Sequence, residues 1–261
     1  MIVVESISVQ AGEFRLDDVS LRVPTGGYAV LMGKTGSGKT TVLEAIIGLR
    51  SVRRGRIWLD ERDVTHLKPA VRGIGYVPQD GALFSKMTVE DQLGLSLVIR
   101  RVPAPAIRQR VRELAELLGI SHLLRRKPRG LSGGERQLAV LARALAQQPR
   151  ILLMDEPAAH LDLGNQGRLL DLVRDLAAAG ATVVLTTHDP NLAAAVAGQL
   201  RDVPVASQRG QRPAGHFVAA HQENAPRWRA RHRRGHRHQP RGPRAGFPER
   251  WPFPVAGFRG P

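Results

Sequence analysis

The stretch Gly33-Lys34-Thr35-Gly36-Ser37-Gly38-Lys39-Thr40 follows a short apolar run, Ala29-Val30-Leu31-Met32. Its spacing, G-x-x-x-x-G-K-[ST] between a strand and a helix, is that of a loop built to wrap phosphates. Glycines let backbone N–H groups curl around a β-phosphate where a Cβ would stand in the way. Lys39 is placed to reach the β- and γ-phosphates, and Thr40 to give a hydroxyl to Mg²⁺. Thr41 belongs to the same phosphate-binding set. The helix that follows adds the positive end of its dipole. A plain glycine-rich turn is the competing reading, and the flanking strand and helix weigh against it.

Two further groups extend that chemistry. Asp155-Glu156 closes the apolar run Ile151-Leu152-Leu153-Met154, where a carboxylate pair gains nothing from burial. Asp155 is expected to act on Mg²⁺, directly or through water, and Glu156 to orient and deprotonate an attacking water. A solvent-facing acidic pair at a strand end is the alternative. Leu131-Ser132-Gly133-Gly134-Glu135 reads as a helix capping box, Ser132 with Glu135 three residues on. The box leaves two glycines unaccounted for, each costing about 0.5–1 kcal/mol against alanine in a helix. Bare backbone at a helix N-terminus suits a docked anion.

Gln79 in Tyr76-Val77-Pro78-Gln79-Asp80, Leu161-Asp162 and Thr186-Thr187-His188-Asp189 complete an ordered series of six motifs. In that order the chain resembles the ATP-binding cassette family over residues 2 to about 197. The resemblance implies a head-to-tail dimer in which one copy's signature closes over ATP held by the other copy's loop. Ser132, Gly133 and Gly134 would then meet the γ-phosphate in trans, and Asp162 would cross the dimer interface. Gln79 would sense the γ-phosphate near Mg²⁺ and the water, and His188 would hold that phosphate and help fix the catalytic geometry. The implied cofactors are ATP and Mg²⁺.

Two departures lie within the matched region. Gln10 and Ala11 stand where the family usually stacks an aromatic on adenine, with Phe14 either a weak substitute or a packing residue of the first strands. Gln137 is followed by Leu138, where the family usually has arginine.

The elements that must position these residues are those of an α/β protein: a P-loop NTPase core with a mostly parallel sheet, an N-terminal β region and a helical insert. The runs 29–32, 151–154 and 182–185 are short and wholly apolar, as in strands buried on both faces. Val111, Leu114, Ala115 and Leu118 share one helical face, as do Leu138, Leu141, Ala142 and Leu145. A third helix is expected over 169–179. The insert spans about 84–146 within an ATPase domain of residues 1–198.

Residues 199–261 differ. They hold thirteen arginines, no lysine and three acids, and half of the eighteen prolines, so most of the net charge of +16 resides there. With neither helical nor strand period, this tail is expected to be mostly disordered. It reads as an altered-frame end, as a solvated tail, or as an arm for anionic partners. The family's two last core strands are not legible in it.

No apolar run approaches the roughly 20 residues of a membrane span, and residues 1–5 lack a secretory signal's basic and apolar stretches. The expected place is the cytoplasmic face of a membrane, held there by a partner. The resemblance implies integral membrane permease subunits, a solute-binding protein outside the membrane, and import rather than export, since no membrane domain is fused. Asp80 to Thr88 is similar to the groove where family permeases dock, with Phe84 and Met87 as apolar contacts or as helix-start packing. Pro78-Gln79-Asp80, Ala82-Leu83-Phe84 and Met87-Thr88-Val89 are similar to molybdate and sulfate cassettes. Residues 160–166 are similar instead to iron-chelate and cobalamin cassettes. Nucleic acid is not expected as a partner, since the chain has one unit, no cysteine and no heptads. A non-transport cassette acting on nucleic acid, or a defective cassette with an altered end, are the alternatives.

Overall fold

The protein is described by a computed structural model covering residues 1–197, 205–206 and 217–221. Two sheets organise it. Strands β1 (Ile2–Ala11), β2 (Phe14–Val23), β4 (Val52–Leu59) and β5 (Arg62–Asp63) form an antiparallel sheet in the order β2-β1-β4-β5. The second sheet runs β6 (Ile74–Val77), β7 (Ile151–Met154), β8 (Thr182–Thr187), β3 (Tyr28–Met32), β10 (Phe217–His221) and β9 (Val205–Ala206). Its first four strands are parallel, and β10 runs antiparallel to β3.

The apolar runs behave as strands covered on both sides. Leu152 and Met154 of β7, with Val183 and Leu185 of β8, join one core, shared with the helical insert. Ile151, Leu153 and Val184 join the other, shared with helix α1 (Lys39–Ile47) and the antiparallel sheet. Side chains alternate across a strand, so a continuous apolar run feeds both cores at once. The insert packs α2 (Val89–Ile99), α3 (Ala104–Leu117) and α4 (Gly133–Ala146) together, with Val111, Leu114 and Leu145 inside.

Helix α5 (Leu163–Ala178) starts six residues before the expected 169. Asp162 caps it, accepting from the Asn165 amide at 2.8 Å. The first turn, Leu163-Gly164-Asn165-Gln166, is polar and glycine-bearing with an exposed Leu163, so no apolar period marks it. A last helix, α6 (Pro190–Ala197), follows β8.

Beyond 197 the described residues are those of β9 and β10, which join the second sheet beside β3. Val218 to His221 pair with Met32 to Ala29, so β3 finds hydrogen-bond partners on both edges. The rest of the arginine-rich region lies outside the described residues. Among the described residues no helix is long and apolar enough to cross a membrane.

The C-terminus of α1 is closed by a buried cation. Gly48 sits at φ +92, and a β-carbon there would stand 2.6 Å from the Arg72 guanidinium. Arg72 donates to the carbonyls of Ala45, Ile46, Leu67 and Thr65. Ala45 and Ile46 lie in the last turn of α1, where carbonyls run short of intrahelical donors; Ala45 also accepts from the Gly48 amide. Arg72→Met keeps the apolar stem and strands the acceptors. It should cost about 3 kcal/mol, read as a lower urea midpoint at unchanged slope.

Candidate functional site

Parallel register brings four loop starts to one edge. Met32 lies opposite Thr187, Met154 opposite Leu185, and Val77 opposite Met154. The phosphate loop leaves β3 there, Gln79 follows β6, Asp155-Glu156 follows β7, and His188 follows β8. Carboxyl ends of parallel strands are where open α/β sheets bind ligands.

The loop itself is tightly placed. Gly36 and Gly38 hold φ of +81 and +95. At Gly36 a β-carbon would meet nothing, so backbone conformation alone demands glycine there. At Gly38 it would stand 2.9 Å from Leu16 and Phe14. Phe14 therefore opens β2 and packs over the start of α1, while Gln10 and Ala11 lie across the same hairpin. Gly38 caps α1 without a side chain, leaving the first-turn amides open to an anion. The Ser37 hydroxyl is buried and has no hydrogen-bond partner among the described residues. Lys34 and Thr35 are exposed, and Gly33 and Thr41 flank the turn. An open helix start, a glycine-shaped curve and an orphaned hydroxyl fit a phosphate chain.

Charged groups converge beside it. Lys39 is buried and donates to the carbonyls of Gly33 at 2.8 Å and Lys34 at 3.3 Å. Its ammonium lies 3.5 Å from Glu156 Oε1, whose other oxygen lies 2.8 Å from His188 Nδ1. Thr40 Oγ1 donates to Asp155 Oδ2 at 2.6 Å. Asp155 is 1% exposed, and its amide donates to Val77 O at 2.8 Å, tying the ends of β6 and β7 together. Among the described residues no three His, Cys, Asp or Glu side chains form a metal cage. Thr40 with Asp155 is the hard-oxygen pair that suits Mg²⁺ carried by a phosphate substrate. Burial, then the charge of Asp155, raises the neighbouring Tyr76 phenol above its ordinary value, so it stays neutral.

The side chains of Gln79, Ser132 and Asp162 make no hydrogen bond to this cluster among the described residues. Gln79 is exposed and makes no hydrogen bond among the described residues. Ser132 and Glu135 form the full capping box of α4: Glu135 N donates to Ser132 Oγ at 3.2 Å, and Ser132 N to Glu135 Oε2 at 2.8 Å. The Ser132 amide holds the Glu135 carboxyl below the usual range. A β-carbon at Gly134 would stand 3.0 Å from the His160 carbonyl oxygen, and one at Gly133 3.4 Å from the His160 Cβ. Close approach to 160–162 thus accounts for Gly134 from within one chain, beside the anion reading. It also sets the signature next to Asp162.

In the groove at 80–88, Leu83 packs against the core, whereas Phe84 is 54% exposed. Gln92, wholly buried, accepts from the Phe84 amide at 2.9 Å and donates to its carbonyl at 3.4 Å. Arg143 lies 5.9 Å from the Phe84 ring centre, and Met87 is half-buried. Sequence reasoning gave no role to Thr186, which touches both Asp155 and Glu156. Its signals are a hydroxyl at the end of the run Val183-Val184-Leu185 and a place in Thr186-Thr187-His188-Asp189.

The glycines make separable demands. Gly38→Ala should lower stability by about 2 kcal/mol from strain and crowding. Gly133→Ala, with helical φ and ordinary contacts, should leave the melting temperature unchanged or raised by a few degrees. Thermal melts without nucleotide check both.

A family model described as ABC transporter matches residues 16–159, more than half of the chain. The molybdate/tungstate import ATP-binding protein WtpC of Thermococcus kodakarensis is 46% identical over 189 residues, 72% of this chain and 57% of that protein. The sulfate/thiosulfate import ATP-binding protein CysA of Nephroselmis olivacea is 42% identical over 201 residues, 76% of this chain and 59% of that protein. The chain spans about half to three-fifths of the length of such relatives. Among solved structures, the dimeric post-hydrolysis state of the ATP-binding cassette MJ0796 bound to ADP and Pi superposes with a TM-score of 0.69 at 28% identity. It covers 75% of this chain and 91% of that one. The ADP conformation of the cassette MJ1267 gives 0.62 at 29% identity, covering 74% and 82%. Motif order, strand-end geometry and these likenesses agree: the chain belongs to the ABC transporter family.

Proposed function

We propose that this chain is the ATP-hydrolysing subunit of an importer, coupling nucleotide turnover to solute passage through separate permease subunits. The observation that carries it is the convergence of Lys39, Thr40–Asp155 and Glu156–His188 at one sheet edge. In this reading residues 1–198 are the motor domain, and two copies pair so that each signature faces the other's loop. The dimeric MJ0796 cassette supports that pairing.

The chain's own groups divide the work. The amides of residues 33–41 and the Lys39 ammonium bind the β- and γ-phosphates, and Lys39 gives up the Gly33 and Lys34 carbonyls to do so. Thr40 and Asp155 would hold Mg²⁺, with Gln79 approaching from the β6 loop; the ion would supply positive charge against the charge that develops on the phosphate. Glu156, freed from Lys39 as that cation turns to phosphate, orients a water and accepts its proton. His188 steadies the Glu156 carboxylate and faces the γ-phosphate. Ser132, Gly133 and Gly134 of the second copy close the site, and Asp162 lines the seam beside them.

Phe84, held out on a fixed backbone, is the contact for the permease, which keeps the chain at the cytoplasmic face of the membrane. A solute-binding protein on the far side completes the system. The solute class favoured by the relatives' names is a tetrahedral oxyanion of the molybdate, tungstate or sulfate kind.

Glu156→Gln should reduce ATP turnover by at least about 100-fold, keep nucleotide binding, and give an ATP-dependent dimer by sedimentation. Undiminished hydrolysis by a monomer would remove Glu156 from the role of base.

A further inference from the structure

Thr186 lies at the last but one position of β8 and is wholly buried. Its hydroxyl donates to Asp155 Oδ1 at 2.6 Å and accepts from the Glu156 amide at 2.9 Å. One hydroxyl thus satisfies a carboxylate oxygen and a backbone N–H of two consecutive residues. The preceding residues Val183, Val184 and Leu185 are apolar members of the two cores, and the Thr186 hydroxyl turns to the end of β7 instead.

Both contacts have directional consequences. Asp155 Oδ1 is occupied by Thr186, and Oδ2 is turned to Thr40. The carboxylate plane is fixed, with the Thr40 side left as its working face. Glu156 holds φ +47, a left-handed conformation unusual for a residue with a Cβ. Such backbones persist where surrounding contacts over-determine them. The bond from the Glu156 amide to Thr186 is a contact of that kind. It aims the Glu156 side chain between Lys39 and His188.

We propose that Thr186 is a positioning residue, which sets the metal-facing oxygen of Asp155 and the left-handed backbone of Glu156 through a single hydroxyl. This rests on the reading of Asp155 and Glu156 as the Mg²⁺-holding and water-handling carboxylates.

The test uses the full chain with Thr186→Val, Thr186→Ala and Thr186→Ser, and Glu156→Gln in parallel. Thr186→Val keeps the shape and lacks the hydroxyl. It should lower kcat about 10- to 100-fold and weaken Mn²⁺ binding to the nucleotide-loaded protein, read by electron paramagnetic resonance, about tenfold. Affinity for metal-free fluorescent ATP should stay within about twofold, because the phosphate loop is untouched. Thr186→Ser should recover kcat and Mn²⁺ affinity to within about threefold of the parent. If Thr186→Val does not fold, the Ala and Ser pair carries the comparison, since Ser restores only the hydroxyl. Parent-like kcat and Mn²⁺ affinity in the variants without a hydroxyl, or a Ser variant no better than Ala, overturns the proposal. An active Glu156→Gln would instead overturn the assignment of the base. An inactive Glu156→Gln beside an unaffected Thr186→Val would sink the Thr186 proposal alone.

Discussion

Parallel pairing among β6, β7, β8 and β3 is the constraint on which the site depends. A parallel ladder places successive strand ends on one side of the sheet, so motifs up to 155 residues apart in sequence arrive together. None of these groups has to be sought by a flexible loop; each begins within two residues of a strand whose register is fixed. The register is fixed in turn by burial on both faces. A slip of one residue would exchange the two cores' side chains, sending Leu152 and Met154 into the space of Ile151 and Leu153.

The edge so formed concentrates charge where water is scarce. Lys39, Asp155 and Glu156 are each less than a tenth exposed, and each has an opposite charge or a hydroxyl within reach. Buried ionic groups are tolerable only when so partnered. The lysine is partnered by two of its own loop carbonyls and by Glu156. In the proposed mechanism, binding and chemistry therefore draw on the same cation.

Much of this was legible in the chain. The phosphate loop, the Asp155-Glu156 pair, the capping box and the apolar runs all follow local rules of spacing and period, and local rules survive folding. What escaped was non-local or lacked a period. The first turn of α5 is set by Asp162 as a cap over a polar, glycine-bearing turn. The closeness of Gly134 to His160 depends on how α4 meets the loop before α5. Thr186 looks like one more β-branched residue of a strand, and only the turn of Glu156 beneath it reveals a use for its hydroxyl. Phe84 and Leu83, adjacent and both apolar, divide between surface and core because Gln92 fixes the backbone between them.

Helix α1 lies between the antiparallel sheet and one face of the parallel sheet, with seven of its nine residues buried. Its far end is clamped by the Arg72 guanidinium, which also grips the carbonyls of Leu67 and Thr65. Close-packed interiors have low compressibility and pass strain on. Held along its length and pinned at its end, this rod ties the loop at Gly38 and Lys39 to the segment before β6, the strand that leads to Gln79.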